Sequence, residues 1–97
     1  QVKILPISEH YFEYAESVRE TLRASGFRVE VDKRSEKVGY KIREAQLEKV
    51  PYMLIVGEKE QENKNVSVRS RKDGDKGAVD LSEFISSLAE EVESKSM

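Results

Sequence analysis

The chain has 97 residues, of which 37% are charged and 37% hydrophobic, with a formal net charge of −2. That is the length of one domain with its own core. With no cysteine and a single histidine, His10, the sequence excludes a disulfide framework, thiolate metal sites and His-cluster metal chemistry.

Val2 to Ile7 (VKILPI) is a mostly apolar run closed by a turn, which predicts a buried first strand. Ser8 is placed to cap the helix that follows, on which Tyr11, Ala15, Val18 and Leu22 share one stripe. Gly26 stands where a left-handed C-terminal cap belongs, with Phe27 as its apolar partner. Phe27, Val29 and Val31 alternate with Arg28, Glu30 and Asp32, the pattern of a half-buried strand near a sheet edge.

A basic helix is predicted next, from Ser35 or Glu36 to just before Pro51, because the residue preceding a proline is biased away from helix. Val38, Ile42 and Ala45 form its core stripe, and Lys37, Lys41, Arg43 and Lys49 are expected to face outward. Tyr40 and Leu47 lie nearly opposite the stripe, as exposed surface or as a contact to a part of the parent chain outside these residues. Tyr52 to Val56 (YMLIV) is too short for a helix and apolar throughout, so it predicts a strand covered on both faces. Gly57 to Asn65 is expected to be a polar connection, with Gly57 as a turn residue. Val66 and Val68 alternate with Ser67, Arg69 and Arg71 in a fourth strand, and Lys72 to Gly77 is expected to be a turn. Asp80-Leu81-Ser82-Glu83 resembles a capping box opening a last helix, with Leu81, Phe84, Ile85, Leu88 and Val92 as its core stripe and Ser94 to Met97 fraying.

Right-handed crossovers then put the first three strands in parallel, order 2-1-3, with the fourth added as an antiparallel hairpin strand. The predicted fold is α/β: a three-layer α/β/α open mixed sheet forming a single domain over residues 1–97. Ligands of such sheets favour the carboxyl ends of the strands near a topological switch point, so the loops after Ile7, Val31 and Val56 matter most.

Charge is unevenly spread. Residues 28–76 carry 13 Lys and Arg against 10 Asp and Glu, a surplus of three positive charges, while the two ends together carry 4 against 9. A local positive field survives an acidic total because charges beyond about 8–10 Å are screened at cellular ionic strength. No GxGxxG, P-loop, nucleophile elbow or metal signature occurs, and the acidic pair Glu90 and Glu91 lies on the outer face of its helix, so independent catalysis is not predicted. The polar residues suit binding better. Lys33, Arg34, Ser35 and Lys37 follow the second strand, at a helix N-terminus that can attract phosphate, and Glu58, Lys59 and Glu60 follow the third. A carboxylate among cations suits single-stranded RNA, accepting from base N–H donors while Lys and Arg hold phosphates. Ordinary solvated salt-bridging on a charge-rich surface is the competing reading.

The run RSEKVGYKIREAQLEKVPYMLIVGEKE, followed by VSVRSR, resembles the C-terminal anticodon-binding domain of bacterial threonyl-tRNA synthetases, and the likeness extends from the opening VKILPIS to the closing helix. The resemblance implies a domain that grips the anticodon loop of threonine tRNA, while a separate class II domain attaches threonine using ATP. ATP, magnesium and zinc would belong to that absent domain, as would the interface of a homodimer; the fragment itself would need no cofactor and would carry no catalytic residue. Positions matching Glu60 and Arg69 would contact anticodon bases, and Arg34, Ser35 and Lys37, in the loop before the second helix, would complete the site. The family often has asparagine where this chain has Ser35, whose hydroxyl reaches less far. Threonine anticodons share a middle guanine, whose Watson–Crick edge offers N–H donors to a carboxylate such as Glu60. The resemblance also implies a soluble cytoplasmic protein and no membrane partner. The chain starts at Gln1 with no signal-like segment, as expected for an intracellular piece of something longer. Two other classes compete: a stand-alone regulatory or adaptor module of the same fold, and a small doubly wound enzyme binding a nucleotide, which the absent glycine loop disfavours.

Overall fold

The computed structural model describes residues 2–33, 36–71 and 74–95, the last five by their backbone. Its elements in chain order are β1 (Val2–Pro6), a 3-10 turn (Glu9–Tyr11), α1 (Phe12–Ala24), β2 (Val29–Val31), α2 (Val38–Leu47), β3 (Tyr52–Val56), α3 (Glu58–Asn63), β4 (Asn65–Ser70), β5 (Gly74–Asp80) and α4 (Leu81–Lys95). The five strands form one sheet in the order β2-β1-β3-β4-β5. The first three are parallel, and β4 and β5 continue the sheet antiparallel. This is the predicted mixed α/β sheet, one strand wider than expected.

Alternation along the strands splits the core in two. Val2, Ile4, Leu54, Val56, Val66 and Val68 face α1 and α4, where they meet Ala15, Val18, Leu22, Phe27, Phe84 and Leu88. Leu5 and Met53 face the other way and meet Ala45 of α2, with Val38, Ile42, Val50 and Ile55 partly buried around them. Each predicted stripe thus packs as its spacing requires, apart from Val92, whose side chain is outside the described residues.

Helix ends follow local chemistry. The Ser8 side chain accepts from the N–H of His10 at 3.3 Å, so it caps the 3-10 turn rather than α1 itself. At the end of α1, Gly26 has φ +91°, its N–H donates to Arg23 O, and the N–H of Phe27 reaches back to Leu22 O. That is a Schellman motif, closed by burial of Phe27 beside Leu22. α2 ends in the same motif: the N–H of Lys49 donates to Gln46 O and that of Val50 to Ala45 O. Here the left-handed position is held by Lys49 itself, at φ +64°.

Four expectations are corrected. α2 begins at Val38, with Lys37 as its N-cap, two or three residues later than predicted. The connection after β3 is not structureless, because the helix formers Glu58 to Asn63 make the short α3. The expected turn over Lys72 to Gly77 is for its larger part strand β5, while Lys72 and Asp73 lie outside the described residues. Within β5, Val68 pairs with Gly77 but Arg69 with Asp75, so Lys76 is an extra, bulged residue, and Asp75 Oδ1 accepts from the N–H of Gly77 at 2.8 Å. Finally, α4 remains helical through Lys95. Asp80 does cap it, its Oδ1 accepting from the N–H and hydroxyl of Ser82. Among the described residues no helix is long and apolar enough to cross a membrane.

Candidate nucleic-acid interface

β1 lies between β2 and β3, with α1 on one face of the sheet and α2 on the other. β1 runs on to α1 and β2 to α2, so the chain leaves the carboxyl ends of these two neighbouring strands toward different layers, which opens the rim at that point. On the other side of β1, its end is tied to that of β3 by the N–H of Ile7, which donates to Val56 O at 3.0 Å.

Gly57, the residue after β3, is buried under Ile7. A Cβ at this position would stand 2.7 Å from Ile7 Cδ1 and 3.2 Å from Glu60 Oε1. The glycine expected to serve only as a turn residue is thus required by close approach, and it makes room for the Glu60 carboxylate to fold back over the rim. Glu60 lies in the first turn of α3 and is half-buried. Its charge is felt by Tyr14 of α1: burial raises the phenol's pKa above the usual 10.0, and Glu60 and Asp80 raise it further. The Tyr14 hydroxyl donates to Asn65 O at 2.7 Å, pinning the start of β4 beside Glu60.

Beside this point lies a groove of about 450 Å³ lined by Ile7, Ser8, Glu9, Phe12, Glu36, Lys37 and Lys41. Lys37 is exposed, and it immediately precedes α2, whose first turn contains no acidic residue. Lys37 and the open N–H end of α2 thus add positive potential at the same place. Arg34 and Ser35, expected to belong to this site, lie outside the described residues.

Lys41 was expected to face outward, and the structure overturns this. It is 2% exposed, and its Nζ lies 3.2 Å from both Pro6 O and Asp32 O. Its sequence position carried the signal: it is three residues after Val38 and four before Ala45, so it falls on the face that α2 turns toward the sheet.

Arg69 occupies a different level. It pairs with Met53 in the β3–β4 ladder, so three residues of strand, about 10 Å, separate it from the rim at Val56. Its side chain is 35% exposed, Nη2 lies 3.7 Å from Asp75 Oδ2, and Nε is buried with no hydrogen-bond partner. Of the predicted residues, the structure thus sets Glu60 and Lys37 at the rim and Arg69 further down β4. Glu60 and Arg69 do not pair with each other, which leaves the carboxylate and the guanidinium able to take separate hydrogen-bonding groups. Among the described residues no group of three or more His, Cys, Asp or Glu could hold a metal ion.

Residues 1–91 match the family described as the anticodon binding domain. The chain is 61% identical over 95 residues to the threonine–tRNA ligase of Clostridioides difficile, covering 98% of this chain and 15% of that protein. It is 57% identical over 97 residues to the same ligase of Caldanaerobacter subterraneus subsp. tengcongensis, again 15% of that protein's length. Among solved structures, the RNA binding domain of threonyl-tRNA synthetase from Cryptosporidium parvum superposes with a TM-score of 0.86 at 36% identity, over 93% of this chain and 23% of that one. Prolyl-tRNA synthetase from the same organism, complexed with halofuginone and AMPPNP, gives 0.85 at 28% identity, over 97% of this chain and 20% of that one. With the sheet order, the capped helices and this match in agreement, the chain belongs to the anticodon-binding domain family of the aminoacyl-tRNA synthetases.

Proposed function

We propose that these residues form the part of a threonine–tRNA ligase that grips the anticodon loop of threonine tRNA. The observation that carries this reading is the Glu60 carboxylate, folded over Gly57 at the open rim with Lys37 nearby on the bordering groove. A fixed carboxylate can accept from the N–H donors of an unpaired guanine, while cations hold the backbone on either side. Arg69, whose side chain is 35% exposed, offers a second polar contact from the sheet. Arg34, Ser35 and Lys37 of the segment between β2 and α2 complete the set.

Aminoacylation, with its ATP, magnesium and zinc, falls in this reading to other domains of a cytoplasmic parent enzyme that dimerises through its catalytic domain. The chain spans 15% of the ligases it matches. The test is a titration of the chain with threonine anticodon stem-loops carrying each of the four bases at the middle position. Guanine is expected to bind most tightly, with the preference lost in Glu60→Ala. Equal affinity for all four bases would sink the reading in favour of an RNA module that does not read the anticodon.

A further inference from the structure

β1 is a central strand that ends in proline, and the hydrogen-bond ladder shows what this leaves open. On the side of β1 facing β2, the N–H of Val2 donates to Arg28 O at 3.1 Å and the N–H of Asp32 donates to Ile4 O at 2.9 Å. In a parallel ladder the next donor from β1 is the N–H of residue 6, and its acceptor is Asp32 O. Residue 6 is Pro6 and has no N–H. Asp32 O is the atom that Lys41 Nζ approaches at 3.2 Å, with the Pro6 carbonyl at the same distance. Both residues are buried, Asp32 at 6% exposure and Lys41 at 2%. The ammonium thus offers Asp32 O the donor that β1 itself cannot supply.

We propose that Lys41 is a positioning residue for the rim: its ammonium stands in for the N–H that Pro6 lacks and locks β1 to β2 at their carboxyl ends. Lys41 also lines the groove that Lys37 borders, so a loosened β1–β2 end would displace the groove's wall. A methionine at position 41 would fit the stripe of Val38, Ile42 and Ala45 and fill the same space, yet supply no donor. The consequence for RNA rests on the anticodon-binding reading above; the ladder role does not.

The decisive comparison is between the native chain, Lys41→Met, Pro6→Ala and the double variant P6A/K41M. Alanine at position 6 restores the backbone N–H that the ladder lacks, without restoring any charge. In K41M the amide of Asp32 should exchange with solvent roughly tenfold or more faster, the scale set by losing a charge-assisted hydrogen bond, while the amides of Leu54 and Val68 stay protected. Affinity for the threonine anticodon stem-loop should fall by a similar factor. In P6A/K41M both should return to within about threefold of the native values, whereas a role based on charge or packing alone predicts no recovery. Unchanged Asp32 exchange in K41M, or a double variant no better than K41M, overturns the proposal. Should K41M fail to fold, recovery of a folded P6A/K41M supports the proposal and failure of both overturns it. If the native chain does not bind the stem-loop, the anticodon reading fails while Asp32 exchange still decides the ladder role.

Discussion

On the α1 and α4 side of the sheet, five strand residues with at most 1% exposure (Ile4, Leu54, Val56, Val66 and Val68) meet helix residues buried as deeply, Ala15, Val18 and Leu22. On the α2 side, among the described residues only Leu5, Met53 and Ala45 of the apolar cluster are buried to that degree, and the charged Lys41 is buried at 2% exposure. The first side is an ordinary apolar core. The second gives part of its interior to a polar link and carries Lys37 at the start of α2. A thin layer of this kind holds strained or polar features that a fully apolar core would not tolerate.

The sharpest way to break the comparison is to remove the same kind of volume from each side. Leu54→Ala, in the thick layer, should cost about 2–5 kcal/mol in urea unfolding. Ile42→Ala, only partly buried on the thin side, should cost less than about 2 kcal/mol. Equal losses would mean that the two layers share one core after all.

Next in size is Glu60→Ala. It should weaken discrimination for a middle guanine by about 1–3 kcal/mol, the worth of a good base contact. Its unfolding midpoint should move by less than about 0.5 kcal/mol, because Glu60 sits outside both clusters. Lys37→Ala should instead lower affinity for all four stem-loops alike and flatten the salt dependence by about one phosphate contact.

A smaller effect acts in the opposite direction. Lys49 closes α2 in the left-handed region at φ +64°. Lys49→Gly should therefore stabilise the thin layer by roughly 0.5–1 kcal/mol, read as a raised thermal midpoint with stem-loop affinity unchanged. The mildest test concerns the α4 cap. Bonds from the Ser82 side chain and backbone, and from the Glu83 backbone, hold the Asp80 carboxyl below its usual 3.8, despite an opposing push from burial. A depressed folded value means that the stabilisation is present above the unfolded pKa and is lost as pH falls through the folded one. Native protein should thus lose stability below about pH 4 more steeply than Asp80→Asn, which keeps a capping acceptor but does not titrate. Parallel acid profiles would remove Asp80 from the account of the thick side.

Much of this architecture was readable before any coordinates. Stripes such as Val38, Ile42 and Ala45 and the pairing of Gly26 with Phe27 are local rules, and local rules survive folding. What escaped reading was set by partners distant in sequence. Residues 74–80 have three charges and two glycines, so only pairing with β4 makes them a strand. Glu58 to Asn63 is too short for periodicity to speak. The helical spacing of Lys41 put it on the buried face of α2, but what its ammonium meets there, Pro6 and Asp32, lies 35 and 9 residues away. Gly57 gave no sign of its role because the crowding comes from Ile7, fifty residues earlier. Of the residues singled out by type, Glu60 and Lys37 lie at the rim, but the depth of Arg69 along β4 depends on strand register and could not be counted from the sequence.

The two flanks of the sheet have a final consequence. β2 is three residues long, and β5 bears a bulge at Lys76 beside Asp75. Short length on one flank and a charged kink on the other leave little straight backbone for a neighbouring molecule to zip onto. Neither margin therefore offers the long flat template from which fibrils could grow.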